Sequence, residues 1–197
     1  MIPAIIIVCL AIIFFYYSEF NYKTLSYKNY DYNVHTTGGC DSAKMISELD
    51  SRARVLKKHL LRKYGCRDCS IIGKFNMYER TIQLEAKYSH NNIYEISPSN
   101  ILGNTSFTED KGRKIVMCLR DKSTGAVHDT NTLMFVFLHE LTHVMNDRWG
   151  HERYFWELFK VVLEDAVEAR VYTAIDYKKN PVKYCGMIID QNPLYDF

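Results

Sequence analysis

His139, Glu140 and His143 stand in the pattern His-Glu-x-x-His, inside the stretch FLHELTHVMNDRWGHERYFW that spans residues 137–156. On a helix, residues four apart share a face, so two imidazoles reach one metal ion from successive turns. The glutamate beside the first histidine falls next to the metal rather than on it, where it can take a proton from a metal-activated water. The chemistry this predicts is zinc-dependent hydrolysis of a peptide bond, with Glu140 as general base. A catalytic zinc site keeps three protein ligands and one open position. His151 follows His143 after seven residues, just past Gly150, and a chain that turns at glycine can return it to the metal. Phe155 and Phe159, at i+4 and i+8 from His151, would carry its face into the core. Glu164 and Glu168 are the rival third ligands; beside Arg170 they read equally well as a solvated, ion-paired face.

These residues need a rigid frame. Leu133, Phe137, Leu141 and Val144 give the first helix an apolar side, Asp129 or Thr130 supplies its cap, and the spacing predicts a helix over 131–148. A second long helix is expected from Gly150 to about residue 177, before Asn180-Pro181 stops it. Further upstream, Ile46, Leu49, Ala53, Leu56 and Leu60 recur at helical spacing over 41–64, with Asp41 or Ser42 as cap and Gly65 as stop. Between roughly 70 and 120 the runs IIGKFN, TIQLEA, NIYEI and KIVMCL alternate with Gly, Asn, Ser and Pro, which is strand-and-turn grammar. One α+β domain over 41–197 is the economical reading.

The first 17 residues, MIPAIIIVCLAIIFFYY, carry no charged side chain and predict a transmembrane anchor. A cleaved signal peptide would want a basic start and small residues before the cut, and neither is present. Residues 18–40, rich in Tyr and Asn and ending near TTGG, then read as a tether. Lys23 and Lys28 just after the span lean the domain toward the cytosol, as a single-pass membrane protein. The 197 residues hold 25 basic and 23 acidic side chains, a balance that does not indicate a nucleic-acid partner. Six cysteines are present, Cys9 in the span and five beyond it. An odd number in the domain predicts no tidy disulfide framework. Cys66 and Cys69 form a lone CxxC without a second ligand pair, read as incidental thiols or a local disulfide.

FVFLHELTHVM followed by GHERYFW resembles the WLM and SprT-like zinc metallopeptidases, and SFTEDKGRKIVMCLRDK and HDTNT upstream are similar to the WLM arrangement. The resemblance covers about residues 105–160. With the N-terminal apolar run and the closing NPVKYCGMIIDQNPLYD, it extends to members encoded by large DNA viruses. It implies Zn2+ held by His139, His143 and His151, and Glu140 as general base; the gap before His151 is longer than the usual pattern. It also implies a zincin-like fold: a small mixed sheet, an active-site helix and a following long helix, here preceded by one transmembrane helix. A protein or peptide substrate would lie along a sheet edge, for which Arg113 to Leu119 is the candidate strand. Tyr184 and Tyr172 are candidate oxyanion stabilisers. The resulting expectation is a membrane-anchored zinc endopeptidase. The alternative is a catalytically silent, zinc-stabilised interaction or structural protein at the membrane.

Overall fold

The computed structural model describes residues 21–97 and 105–196, together with Ile6, Ile7 and Leu10. Apart from those three, the membrane span expected at residues 1–17 lies outside the described residues. Among the described residues no helix is long and apolar enough to cross a membrane.

Two strands stand where a tether was expected. β1 (Tyr22–Tyr27) and β2 (Tyr30–His35) pair antiparallel, Tyr22 opposite His35 and Tyr27 opposite Tyr30. The turn residues Lys28 and Asn29 have φ of 49° and 67°, the left-handed pair that matches hairpin twist. Tyr32 and Val34 are wholly buried. Residues 18–40 are therefore corrected from spacer to sheet and core over 22–35, because the polar Tyr and Asn positions alternate with positions that the fold covers.

α1 (Cys40–Lys63) buries Ile46, Leu49, Ala53, Leu56 and Leu60 along one face, as their spacing predicts. Neither Asp41 nor Ser42 caps it; Gly39 holds that position and the Ser42 hydroxyl donates to Glu95 Oε1 at 2.8 Å. Buried Asp50 on α1 accepts from the hydroxyls of Tyr32 (3.1 Å) and Tyr88 (2.8 Å) and pairs with Arg54 at 2.7 Å. A buried carboxylate needs such partners, and these bind α1 to β2 and to the segment before the central strands.

β3 (Ile71–Ile72) and β4 (Phe75–Asn76) form a small hairpin. The run TIQLEA is not a strand but part of α2 (Met77–Lys87). Asn76 caps that helix by accepting from the Glu79 amide, and Met77, Arg80, Thr81 and Leu84 share its buried face. β5 (Ile93–Glu95), β6 (Phe107–Glu109) and β7 (Lys114–Met117) complete a mixed sheet in the order β1-β2-β5-β7-β6. β2, β5 and β7 run parallel, while β6 returns antiparallel along the margin. The candidate edge strand is thus corrected. β7, within Arg113 to Leu119, is internal, with Ile115 and Val116 wholly buried, and β6 is the edge. The β6–β7 turn explains the order. Asp110, Lys111 and Gly112 all have positive φ, and a Cβ on Gly112 (φ 105°) would lie 3.0 Å from both methyl carbons of Val144. Glycine lets that turn settle against the helix that carries the histidines.

α3 (Thr130–Met145) packs against α1, α2 and β6, and α4 (Arg153–Glu168) packs against α3 and α1. α4 stops well short of residue 177: Arg170 turns left-handed (φ 57°) and the Val171 amide donates to Ala166 O at 3.0 Å, a helix stop that ends the ladder. β8 (Val182–Tyr184) and β9 (Met187–Ile189) form a third small sheet, and α5 (Pro193–Asp196) ends the described chain. Cys66 bridges Cys69, the local disulfide that is one of the two readings of that pair. What changes is that Cys118 bridges Cys185; among the described residues Cys40 is exposed and unbridged. The architecture is α+β.

Candidate metal centre

α3 presents His139 and His143 one turn apart because its start is fixed and its other faces are buried. Asp129 accepts from the amides of Asn131 and Thr132, both at 3.0 Å, and Leu133, Phe137, Leu138 and Val144 have no exposure. The helix ends at Met145, and Gly150 (φ 80°) reverses the chain. No atom approaches a Cβ placed there, so conformation rather than space demands glycine. His151 sits in this connection, two residues before α4, rather than at the head of a helix.

The reversal brings three ring nitrogens to one point. His151 Nε2 lies 2.9 Å from His139 Nε2 and 2.9 Å from His143 Nε2. One ring nitrogen carries at most one proton, so three imidazoles this close hold more lone pairs than they can mutually satisfy. A tetrahedral zinc with bonds of about 2.0–2.1 Å would hold its nitrogens roughly 3.3 Å apart, a few tenths of an ångström from what is found. The donor set therefore fits a metal with an open fourth side. All three rings are held below the ordinary histidine value by burial: His139 well below, with His143 and His151 adding to the effect, His143 to about 4, and His151 to a lesser degree. Neutral imidazole is the metal-binding form.

α4 fixes the rings from behind. Phe155 stacks on His143 with centroids 4.3 Å apart and meets His139 edge-on at 4.8 Å, while Phe159 packs on His139 at 5.3 Å. Glu140 lines the same cleft as the triad and bonds to the sheet. Its carboxyl is almost fully buried and is pushed up to about 7 by that burial, partly offset by the Thr108 hydroxyl donating to Oε2 at 2.7 Å. Thr108 belongs to the edge strand β6, so the strand that borders the site also holds the carboxylate. No local motif marks this threonine in the sequence; only the β6–β7 hairpin brings it there.

The other candidates separate clearly. Glu164 is exposed and lies outside the triad. Glu168 is exposed and accepts from Lys63 Nζ at 2.5 Å, in a cluster with His59 and buried Asp165. Tyr172 is buried and bonded to Asn192 at 3.0 Å, and it does not line the cleft. Tyr184 does line it, its hydroxyl 2.5 Å from Ser106 Oγ. That cleft, of about 690 Å³, is lined by the three histidines, Glu140 and Thr108, by Trp149 and Trp156, and by Met187 to Gln191.

A sequence profile of the WLM domain matches residues 77–186, which include the three histidines, Glu140, Thr108 and Tyr184 but stop short of Met187 to Gln191 in the cleft lining. An uncharacterized protein of Acanthamoeba polyphaga mimivirus is 32 % identical over 197 residues, covering 97 % of this chain and 95 % of the relative. An uncharacterized protein of Invertebrate iridescent virus 6 is 41 % identical over 86 residues, covering 42 % of this chain and 46 % of the relative. One from Invertebrate iridescent virus 3 is 37 % identical over 95 residues, covering 45 % and 58 %. No solved structure matches. With more than half its length inside the profile, the three histidines and Glu140 included, the chain belongs to the WLM domain family.

Proposed function

We propose that the protein is a zinc-dependent endopeptidase of zincin-like fold, tethered to a membrane by residues 1–17. The observation that carries this reading is the convergence of His139, His143 and His151 beside a buried carboxylate that is not itself part of the triad. Membership of the WLM domain family supports it. Bound zinc would acidify water and polarise the scissile carbonyl. His139, His143 and His151 would hold the ion, oriented by Phe155 and Phe159. Glu140 would accept a proton from the attacking water and later return it to the leaving amine. Its burial and its near-neutral proton affinity suit both transfers, and Thr108 keeps the carboxylate aimed. β6, the end strand of the sheet among the described residues, would offer an extended peptide its outer edge. Tyr184, which lines the cleft and bonds to Ser106, would donate toward a developing oxyanion.

A purely structural zinc site would have no use for Glu140 or for a cleft of this size. The deciding experiment uses the full-length protein purified with zinc. Elemental analysis is expected to find about one zinc per chain, reduced in His139→Ala, His143→Ala and His151→Ala. Unfolded protein substrates should be cut by the loaded protein and not after chelation. Metal retained in all three variants, or no cleavage by the loaded protein, would sink the reading. A smaller effect is expected from Thr108→Val. Losing one hydrogen bond to a carboxylate costs about 1.5–3 kcal/mol, so kcat/KM should fall by roughly 10–100-fold while zinc content is unchanged.

We also propose that the domain lies on the oxidising side of its membrane. The two disulfides support this placement, since such bridges persist in oxidising compartments. They weigh more than the slight lean given by Lys23 and Lys28. Lys23 is in any case engaged by the fold, donating to Thr36 O at 2.9 Å.

A further inference from the structure

Besides the edge strand and the ionisable groups, the cleft is lined by apolar side chains. Phe135 and Phe159 form its floor beside His139, their centroids 5.3 Å apart and both almost fully buried. Trp156 stands 5.7 Å from His139. The β8–β9 hairpin contributes Met187, Ile188 and Ile189 to the lining. Met187 and Ile188 are 47 % and 59 % exposed, and Trp149, in the same lining, is 71 % exposed. Large apolar side chains left open to water around one cleft mark a surface made to be covered. The hairpin is not free to collapse inward. Cys185 in its turn is bridged to Cys118, and the Cys185 amide donates to His128 Nε2 at 3.3 Å.

We infer that this cleft selects its substrate by one bulky apolar side chain next to the scissile bond, held between Phe135, Trp156 and Phe159 on the helices and Met187, Ile188 and Ile189 on the hairpin. This rests on the endopeptidase reading for the orientation of the chain. The occupant is an extended polypeptide, because the exposed edge of β6 borders the same cleft and an apolar ligand without a backbone would leave that edge unpaired. A leucine or phenylalanine entering the pocket trades water for aromatic and aliphatic contacts. An aspartate would lose its hydration among these apolar side chains, with Asp190 also in the lining; Lys111, the lysine of the cleft, belongs to the β6–β7 turn rather than to the helices or the hairpin.

The chain's two tryptophans, Trp149 and Trp156, both line the cleft, so intrinsic emission reads occupancy without turnover. Full-length Glu140→Gln protein would be titrated with peptides free of Trp and Tyr that differ only in a central Leu, Gly or Asp. The Leu peptide is expected to change the emission at about tenfold or more lower concentration than the other two. In Ile188→Asp, a change at an exposed position, that preference should fall to within about twofold. Equal responses from all three peptides, or none, would overturn the inference. Equal binding with cleavage intact in the parent removes the selectivity alone. A Leu preference in a protein that never cleaves removes the endopeptidase reading and leaves the apolar pocket standing.

Discussion

Glu140→Gln is expected to lower kcat for peptide hydrolysis by about 10²–10⁴-fold, the usual contribution of a positioned general base, while zinc content stays at the parent value. Glutamine keeps the volume of a side chain that is almost fully buried and can still accept the Thr108 hydroxyl. It cannot take up a proton. The nitrogens that could hold a metal belong to His139, His143 and His151, and the Glu140 carboxylate bonds to Thr108 on the sheet side. Loss of chemistry and loss of metal therefore separate in this variant. Glu140→Ala would not separate them as cleanly, because it opens a cavity beside α3 and strands the threonine hydroxyl. Steady-state cleavage of a fluorogenic peptide alongside elemental analysis makes the measurement. A glutamine variant as active as the parent would show that the proton is handled elsewhere, and one that loses zinc would place Glu140 in the metal's own shell.

What the sequence shows of this site is what depends on short range. His139, Glu140 and His143 follow from helical spacing, and His151 follows from a glycine whose left-handed backbone is set within one residue. The elements that failed were those whose state depends on distant partners. Residues 22–35 look polar and tyrosine-rich, yet Tyr32 and Val34 are buried because α1 covers β2, and Asp50, 18 residues further on, binds the Tyr32 hydroxyl. TIQLEA has the length of a strand and became a helix once Asn76 capped it and Leu84 found the core. Which strand forms the sheet edge follows from where the β6–β7 hairpin turns, and with it comes Thr108, the closest neighbour of the base. Cysteine pairing is the extreme case, since an odd count says nothing about which thiols meet.

Removal of the Cys118–Cys185 bridge is expected to have the second large effect. The two cysteines are 67 positions apart, and closing a loop of that size removes unfolded-chain entropy worth roughly 4 kcal/mol in the chain-entropy account. Cys118→Ala with Cys185→Ala should therefore lower the melting temperature by about 10 °C or more. The Cys66–Cys69 pair closes a loop with a separation of only 3, for which the same account gives roughly 2 kcal/mol, and it lies outside the cleft lining. The two deletions should also differ in kind. Cys118 follows β7 and Cys185 sits in the β8–β9 turn, one residue after Tyr184. Freed of the bridge, the hairpin keeps the Ser106 contact to Tyr184 and the His128 contact to the Cys185 amide, but nothing covalent holds the wall formed by Met187 to Ile189. KM for apolar peptides should rise several-fold while zinc content holds, because none of the three histidines lies on that hairpin. Calorimetry and peptide kinetics on both double variants make the comparison. If deleting Cys66–Cys69 costs as much in both measurements, the long bridge does not act on the cleft, and the wall owes its place to Tyr184 and His128 instead.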